Sequence, residues 1–261
     1  MAFTSVPFNT ALSFIEKEGL CPVFNTWHFN YNLGYYHPSL LWDENLKIVV
    51  AEKSVGPWSP TPVFSKLGKP VEAYLSLKSN VANPEPDKFY WWHTPLTTFE
   101  DYLDEKTKTS HNKRKHFPTT HTYLKYTDKC DISFEILDFD MERFALVEGR
   151  LKTPNHAGVR EYIHHPQNGV RQAPSSWLKM AFLKDKGVEV ACALLLDDGR
   201  SLCLLNIAAL RSPFSFGVFV GVELTKWGCS VGRKSFDCGI SKDFGCYKNK
   251  IFTKSYEVYG K

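Results

Sequence analysis

Apolar residues run almost without interruption through two neighbouring stretches in the C-terminal half of the chain. The stretches cover 188–196 and 201–210, and the turn between them at 197–200 reads Asp-Asp-Gly-Arg. Asp-Gly is a preferred pair in tight hairpin turns, and continuous apolar strands are typical of sheet interiors covered on both faces. The pattern therefore predicts a hairpin of two central strands.

The remaining periodicity predicts a chain that mixes helices with strands. Strands are predicted at 46–51, 71–79, 131–137, 234–240 and 255–259, and helices at 97–116, at 138–152, from 216 or 218 to 231, and at 243–252. The segment 56–70 holds four prolines and two glycines. Because proline donates no backbone hydrogen bond and is confined to the edges of sheets, we expect this segment to be a long surface loop.

Composition and charge place the chain among ordinary globular proteins. The 261 residues are 43% hydrophobic and carry a net charge of +4, which is too small by itself to define a nucleic-acid binder. The N-terminus lacks the pattern of a signal peptide, and no apolar window reaches the length of a membrane span. We therefore expect a cytoplasmic protein that spans no membrane, with its seven cysteines reduced.

The spacing of histidines and cysteines does not predict a metal site. His111 and His116 have four residues between them, which zinc sites allow, but no closely spaced cysteine pair accompanies them. Cys229, Cys238 and Cys246 are also too widely spaced to form such a pair. We expect no bound metal.

Two short motifs stand out in the second half of the chain. One is Phe-Asp-Cys-Gly at 236–239, followed by Tyr-Lys-Asn-Lys-Ile-Phe at 247–252. With one extra residue before the last Phe, it resembles the end of FemABX-like proteins, which belong to the GNAT superfamily of acyltransferases. Upstream, Phe-Glu-Asp-Tyr-Leu at 99–103 and the basic stretch 110–115 are similar to the helix before their second GNAT unit. The resemblance covers about residues 97–260.

The resemblance implies an α+β fold. Its core is a GNAT-like mixed, mostly antiparallel twisted sheet flanked by helices. Residues 97–261 are expected to form a C-terminal GNAT-like acyltransferase domain. Residues 1–96 are short and rich in proline, so we expect them to be a shortened or degenerate N-terminal GNAT-like unit.

The resemblance also implies an enzyme, an N-acyltransferase. Such a transferase moves an acyl or aminoacyl group from a carrier to an amine by direct attack, without a fixed triad of side chains. Acyl-CoA or another acyl thioester is the expected co-substrate, with acyl carrier protein or aminoacyl-tRNA as alternative donors. The acceptor is expected to be the amine of a small molecule or a peptide. The reaction is placed where the strands 201–210 and 234–240 splay apart.

Four residues are candidates for the catalytic site. Asp237 either orients substrate or pairs with a neighbour, and Lys248 either neutralises a carrier or is a solvated helix cation. Tyr247 is a candidate proton donor, with aromatic packing as its alternative. Asn206, alone among apolar residues of a central strand, must hydrogen-bond when buried. It is either a structural bridge or a clamp for a substrate amide.

The loop before the helix at 216–231 is the candidate carrier site. A helix start presents N–H groups to an anion such as a pyrophosphate, and Arg211 adds a fixed cation beside it. The expected contacts are Arg211, Ser212, Ser215, Phe216 and Gly217. The alternative is a plain connection from strand to helix, because the segment has one glycine and two bulky Phe residues.

A cluster of cations supports a second hypothesis. Lys106, Lys108, Lys113, Arg114 and Lys115 follow one another closely. They are either a solvated helix end or a contact for a polyanion, namely carrier phosphates, acyl carrier protein or tRNA. In the second case the chain is either an enzyme that uses Lys113, Arg114 and Lys115 for its donor, or a GNAT scaffold that binds without catalysis. The aromatic run 89–93 either lines the acceptor cleft or packs in the core.

Overall fold

A computed structural model describes the elements that position the candidate site. It describes residues 4–7, 10, 11, 13, 14, 17, 39–45, 48–51, 63–65, 87–111, 123, 127, 131–151, 158–164, 175–211, 215–241 and 248–260. The strands are β1 (Thr4–Pro7), β2 (Ser39–Asp43), β3 (Ile48–Ala51), β4 (Val63–Ser65), β5 (Asp87–Pro95), β6 (Ile132–Asp138), β7 (Leu178–Asp185), β8 (Val188–Asp197), β9 (Ser201–Ala209), β10 (Ser235–Ser241) and β11 (Lys254–Gly260). The helices are α1 (Phe99–His111), α2 (Met141–Leu151), α3 (Val159–His164), α4 (Phe216–Ser230) and α5 (Lys248–Ile251).

The predicted central hairpin is confirmed. β8 and β9 pair antiparallel across a turn in which Gly199 has a φ of +84°. Glycine adopts this left-handed conformation without steric cost, which is why the Asp-Gly pair marks the turn. Residues 190–197 of β8 are all buried, as the continuous apolar pattern predicts.

The chain divides into two compact units. One comprises Met1–Trp91, Ile240–Phe244 and Ser255–Lys261, and the other comprises Trp92–Gly239 and Gly245–Lys254. In the first unit the strands follow the order β1-β2-β3-β4-β11, with antiparallel pairs throughout. The assignment of residues 1–96 as a degenerate GNAT-like domain stays a prediction.

The second unit holds a mixed, mostly antiparallel sheet in the order β5-β10-β9-β8-β7-β6. Its strands from β6 to β9 pair antiparallel, and β10 runs parallel to its neighbour β9. A parallel neighbour needs a crossover, and α4 supplies it between β9 and β10. The α+β class is confirmed, and this order of strands and helices is the one that the GNAT resemblance implies.

Helices cover this sheet closely. α2 packs on β8 and β9, and α4 packs on β7, β8 and β9. Two glycines bring α4 near its neighbours, since a Cβ at Gly221 would lie 2.7 Å from Ile251 Cγ1 and one at Gly228 would lie 2.8 Å from Leu202 Cδ1. Because glycine has no side chain, α5 and β9 pack directly against the backbone of α4 at these two positions.

One expectation from the sequence is corrected, one open alternative is decided, and one predicted strand falls outside the described residues. The segment 56–70 is not a loop throughout, because β4 pairs with both β3 and β11. Its three residues lie between the prolines, so each can join a ladder. In the run 89–93, Trp92 and His93 are buried in β5, and they belong to the core instead of an open cleft. The predicted strand 71–79 lies outside the described residues.

Candidate active site where two parallel strands part

The candidate site lies at the end of a short parallel ladder. β9 and β10 pair in register at Ser201–Ser235, Leu202–Phe236 and Cys203–Asp237. β9 continues to Ala209, but its pairing with β10 in the described residues stops at Cys203. Residues 201–204 are buried, whereas residues 205–209 are half-buried. We call this place the strand opening, and it matches the splay that the GNAT resemblance implies.

An ion pair fixes the closed end of the two strands. Arg233 donates through Nε and Nη2 to the two carboxylate oxygens of Asp197 at 2.6 and 2.8 Å. Asp197 Oδ1 also accepts from the backbone N–H of Gly199 at 3.0 Å. The backbone N–H of Lys234 donates to the carbonyl of Arg200 at 2.7 Å. These bonds tie the β8–β9 turn to the start of β10, so the strands part at their other end.

A β-bulge interrupts β9 just beyond the last pair with β10. Leu195 of β8 lies opposite Leu204, whereas Leu194 lies opposite Asn206. Leu205 is therefore the extra residue of β9. Bulges bend a strand and redirect its side chains, and they are frequent beside active sites.

The bulge changes which side chains face each helix. Before it, Leu202 faces α4, where it meets Gly228. After it, Ile207 and Ala209 face α4, each 3.7 Å from a Cβ built at Gly217. Strict alternation from Leu202 would point Asn206 toward α4. The side chain of Asn206 instead meets α2, because the extra residue shifts the alternation by one.

Asp237 is a fully buried carboxylate at the strand opening. It is 0% exposed, and its partner across the ladder, Cys203, is 2% exposed. Burial is the main cause that raises the pKa of the Cys203 thiol. The charges of Asp237 and Cys238 and a hydrogen bond to Asp237 raise that pKa further. The thiol therefore stays protonated beside the buried side chain of Asp237.

Lys248 brings a cation to the same place. It is the first residue of α5, and its Nζ donates at 3.1 Å to the backbone carbonyl of Cys238, the residue after the last paired position of β10. Its charge acts against the burial that raises the pKa of Cys203. The strand opening thus combines a buried carboxylate, a neutral thiol and a half-buried ammonium.

The start of α4 lies over the C-terminal half of β9. Ser215 precedes the helix in a left-handed conformation, with a φ of 51°, and its carbonyl accepts from the N–H groups of Val218 and Phe219. Phe216 is buried, and Gly217 lies against Ile207 and Ala209. A helix start presents N–H groups that favour an anion, and the expected carrier contact at Ser215, Phe216 and Gly217 stays a prediction.

The other candidates for the carrier site are only partly described. Arg211 is exposed at the end of β9, which leaves its guanidinium accessible to a ligand. Ser212 lies outside the described residues.

Asn206 is tied to a buried carboxylate of α2. Its Nδ2 donates to Glu148 Oε1 at 2.8 Å, and Glu148 Oε2 accepts from the backbone N–H of Val159 at 2.8 Å. Glu148 is 3% exposed. One carboxylate therefore links the end of α2, the start of α3 and the bulged part of β9.

Lys106 corrects one expectation about the basic cluster. Its Nζ donates to the backbone carbonyl of Asn249 at 2.9 Å and to that of Phe252. Burial lowers the pKa of Lys106 to about 7, although the charge of Glu105 acts in the opposite direction. Lys106 therefore caps the end of α5 and faces inward, so it belongs neither to a solvated helix end nor to a polyanion contact.

Several predicted residues cannot be placed. Tyr247, Lys113, Arg114 and Lys115 lie outside the described residues, and the side chain of Lys108 does too. Their expected roles stay predictions.

Two features are absent from the described part of the chain, namely a cluster of metal ligands and a membrane-spanning helix. In this part, no three His, Cys, Asp or Glu residues are grouped so that they could hold a metal ion. No helix there is both long and apolar enough to cross a membrane.

The sequence reasoning missed three residues that shape this site. Cys203 and Arg233 gave no signal, because their partners are set by the register of β9 and β10. Glu148 lies in a helix whose other charged residues are exposed. Its position between Val147 and Leu151, on the apolar side of α2, was the available signal.

Comparison with known proteins gives only remote similarities. No protein-family model and no curated protein matches the sequence. A C-terminal domain described as that of a lysylphosphatidylglycerol synthetase from Agrobacterium fabrum is 10% identical over 95% of this chain and 91% of its own, with a TM-score of 0.46. FemX is 9% identical over 100% of this chain and 96% of its own, with a TM-score of 0.44. A GCN5-related N-acetyltransferase from Kribbella flavida is 12% identical over 72% of this chain and 63% of its own, with a TM-score of 0.34. Similarities this remote carry no argument about the activity of this chain.

Proposed function

We propose that this protein is a GNAT-type N-acyltransferase that works at the strand opening. The observation that supports this most is the parallel pair of β9 and β10, which parts just beyond Cys203 and Asp237 with Lys248 beside it. Where paired strands part, backbone N–H and C=O groups on the facing edges leave the ladder and become available to an inserted substrate. A carrier arm with a carbonyl at its end fits such a slot.

The proposed reaction is a direct transfer to an amine. The neutral amine attacks the carbonyl of the donor, so that a C–N bond forms and the C–S bond of a thioester, or the C–O bond of an aminoacyl ester, breaks. The amine gives its proton to a base or to a water chain, and the leaving thiolate or alkoxide takes up a proton to become a thiol or a hydroxyl group. The oxyanion that forms on the way needs fixed donors, which backbone N–H groups at the opening supply.

The side chains have two proposed tasks. Lys248 places a positive charge beside the opening and steers the negatively charged carrier. Asp237 supplies a negative charge at the buried end of the opening. The start of α4 and Arg211 receive the phosphates of the carrier, since helix N–H groups and a guanidinium both favour anions. Acyl-CoA, acyl carrier protein and aminoacyl-tRNA all carry phosphates that fit this description.

The proposal is tested by following consumption of the donor. The protein is incubated with acetyl-CoA, a long-chain acyl-CoA or aminoacyl-tRNA, each with and without a mixture of small amines and peptides. We expect release of free thiol or deacylated tRNA that requires both protein and amine.

Asp237→Asn should lower the rate at least about 10-fold, since fixed charge at a buried reaction site contributes several kcal/mol. Leu146→Ala at an exposed position of α2 is the matched control and should leave the rate unchanged. Amine-independent release, or equal rates for Asp237→Asn and the unaltered chain, would contradict the proposal.

A further inference from the structure

The buried carboxylate of Glu148 has no role in the transfer chemistry, yet it connects three elements around the strand opening. Its two oxygens accept from different partners, Asn206 Nδ2 in β9 and the backbone N–H of Val159 in α3, each at 2.8 Å. Glu148 is 3% exposed, and its bond to Val159 is buried whereas its bond to Asn206 is partly buried. A buried acceptor that satisfies two donors is expensive to remove, since each donor left alone keeps its full cost of desolvation.

The bond to Asn206 acts at a sensitive point of β9. Asn206 is the first residue after the extra residue Leu205, and its side chain reaches Glu148 only because the bulge has shifted the alternation of the strand. If β9 lost the bulge, Asn206 would turn toward α4, and its amide would leave the carboxylate. The hydrogen bond exists only in the bulged register, so it stabilises that register relative to the regular one.

The bulge in turn decides what β9 presents at the strand opening. It lies between Cys203, the last residue paired with β10, and Ile207, which lies under the start of α4. A regular strand would exchange the faces of all residues from Asn206 onward. The backbone that lines the opening would then point its N–H groups elsewhere.

We propose that Glu148 is a positioning residue that holds the bulged register of β9 through Asn206 and thereby shapes the strand opening. The claim that this shape serves acyl transfer rests on the proposed function. The claim that Glu148 stabilises the bulged register of β9 does not. Glu148 touches no reacting atom of the proposed reaction, and its hydrogen bond to Asn206 carries its effect to β9.

The pair allows a test by exchange of the two side chains. Glu148→Gln leaves one accepting oxygen for two N–H donors, and Asn206→Asp places two carboxylates face to face. In the double variant Glu148→Gln/Asn206→Asp, the Gln amide donates to the new carboxylate, and its oxygen remains for the N–H of Val159. The double variant therefore restores both hydrogen bonds, and in the bond between residues 148 and 206 the donor and the acceptor have exchanged places. Glu100→Gln is the matched control, because it makes the same change on an exposed helical side chain that lies in α1.

The first readout is hydrogen exchange, which needs no ligand. We expect each single variant to raise exchange about 10-fold or more in peptides that cover 201–209 and 158–164, with little change in β7. The double variant and Glu100→Gln should match the unaltered chain. Equal exchange in all variants, a rise spread evenly over the unit, or a double variant no better than the singles would each overturn the proposal.

The second readout is thiol release from acetyl-CoA in the presence of the amine mixture. A misplaced strand at a reaction site can cost about 100-fold in rate, so the single variants should be slower by about 10- to 100-fold and the double variant should recover. If the unaltered chain releases no thiol, the proposed function fails for this donor, and hydrogen exchange still decides whether Glu148 holds β9. If hydrogen exchange rises in the single variants but their rate of thiol release equals that of an active unaltered chain, Glu148 does fix the register of β9. The claim that this register matters for the reaction is then wrong.

Discussion

Lys106 of α1 donates a hydrogen bond of 2.9 Å to the backbone carbonyl of Asn249 in α5. Tyr102, one turn earlier in α1, donates at 2.8 Å to the carbonyl of Ile251. These side chains bind the carbonyl groups that end a helix and have no partner within it. The same short helix begins with Lys248, which reaches the strand opening. α1 thus holds in place the element that supplies the cation of the candidate site.

The buried amine of Lys106 predicts a particular dependence of stability on pH. Its pKa falls from 10.5 to about 7 in the folded chain, chiefly because of burial. Between these two values the unfolded chain binds more protons, so the free energy of unfolding rises with pH, by at most about 1.4 kcal/mol per pH unit. That contribution is complete above the unfolded pKa and is lost as the pH falls toward 7.

Lys106→Met removes this contribution. Denaturant unfolding of both chains at pH 7, 8, 9 and 10 should show the unaltered chain gaining stability relative to the variant as the pH rises. Parallel pH curves for the two chains would show that the amine is not buried as described.

Two glycine substitutions should act in opposite directions. In Gly221→Ala the new methyl group would lie 2.7 Å from Ile251 Cγ2, so Ile251 and α5 must move. Overpacking of this kind costs about 1–3 kcal/mol, which exceeds the gain of about 1 kcal/mol in helix propensity. Gly149→Ala in α2 meets no atom within 4 Å and should gain stability. Urea unfolding measures both, and a stabilising Gly221→Ala would contradict the close packing of α4 on α5.

The ion pair at the closed end of the strands should contribute to stability. Asp197→Ala leaves the guanidinium of Arg233 without its two acceptors and should cost about 2–3 kcal/mol, less than a fully buried pair because Arg233 is partly exposed. Glu189→Ala removes a pair whose Arg150 side chain is 56% exposed, and its loss should cost less than about 1 kcal/mol. Equal losses in thermal unfolding would mean that the Arg233 pair is no stronger than a surface contact.

The described cysteines should react with alkylating agents in a fixed order. Burial raises the pKa of both Cys203 and Cys229, but Cys203 is buried and Cys229 is half-buried. Because the thiolate is the reactive form and needs access to the reagent, Cys229 should be labelled first at pH 8. Cys203 should react only when the protein unfolds. Mass spectrometry of timed samples tests this, and rapid labelling of Cys203 would show that the buried end of the opening is accessible to reagents.

The sequence predicts elements better than it predicts the partners of side chains. The hairpin of β8 and β9 follows from two continuous apolar runs around Asp-Gly, and local pattern alone decides it. Asn206 shows the limit, because its need for a partner is visible in the sequence and the identity of that partner is not. The bulge at Leu205 depends on pairing with β8, so no local pattern marks it. Lys106 was misjudged for a similar reason, since only tertiary packing brings the carbonyl groups of α5 to its side chain.

The most direct test of the central claim is the effect of donors on the melting temperature. The unaltered chain and Lys248→Met are heated with acetyl-CoA, a long-chain acyl-CoA, aminoacyl-tRNA or uncharged tRNA. A donor at 100 times its dissociation constant adds about 2.7 kcal/mol, which is roughly 5–10 °C for a chain of this size. We predict such a rise with one class of donor and a clearly smaller one in Lys248→Met. No rise with any donor, or an equal rise in both chains, would contradict the claim that the strand opening is a donor site.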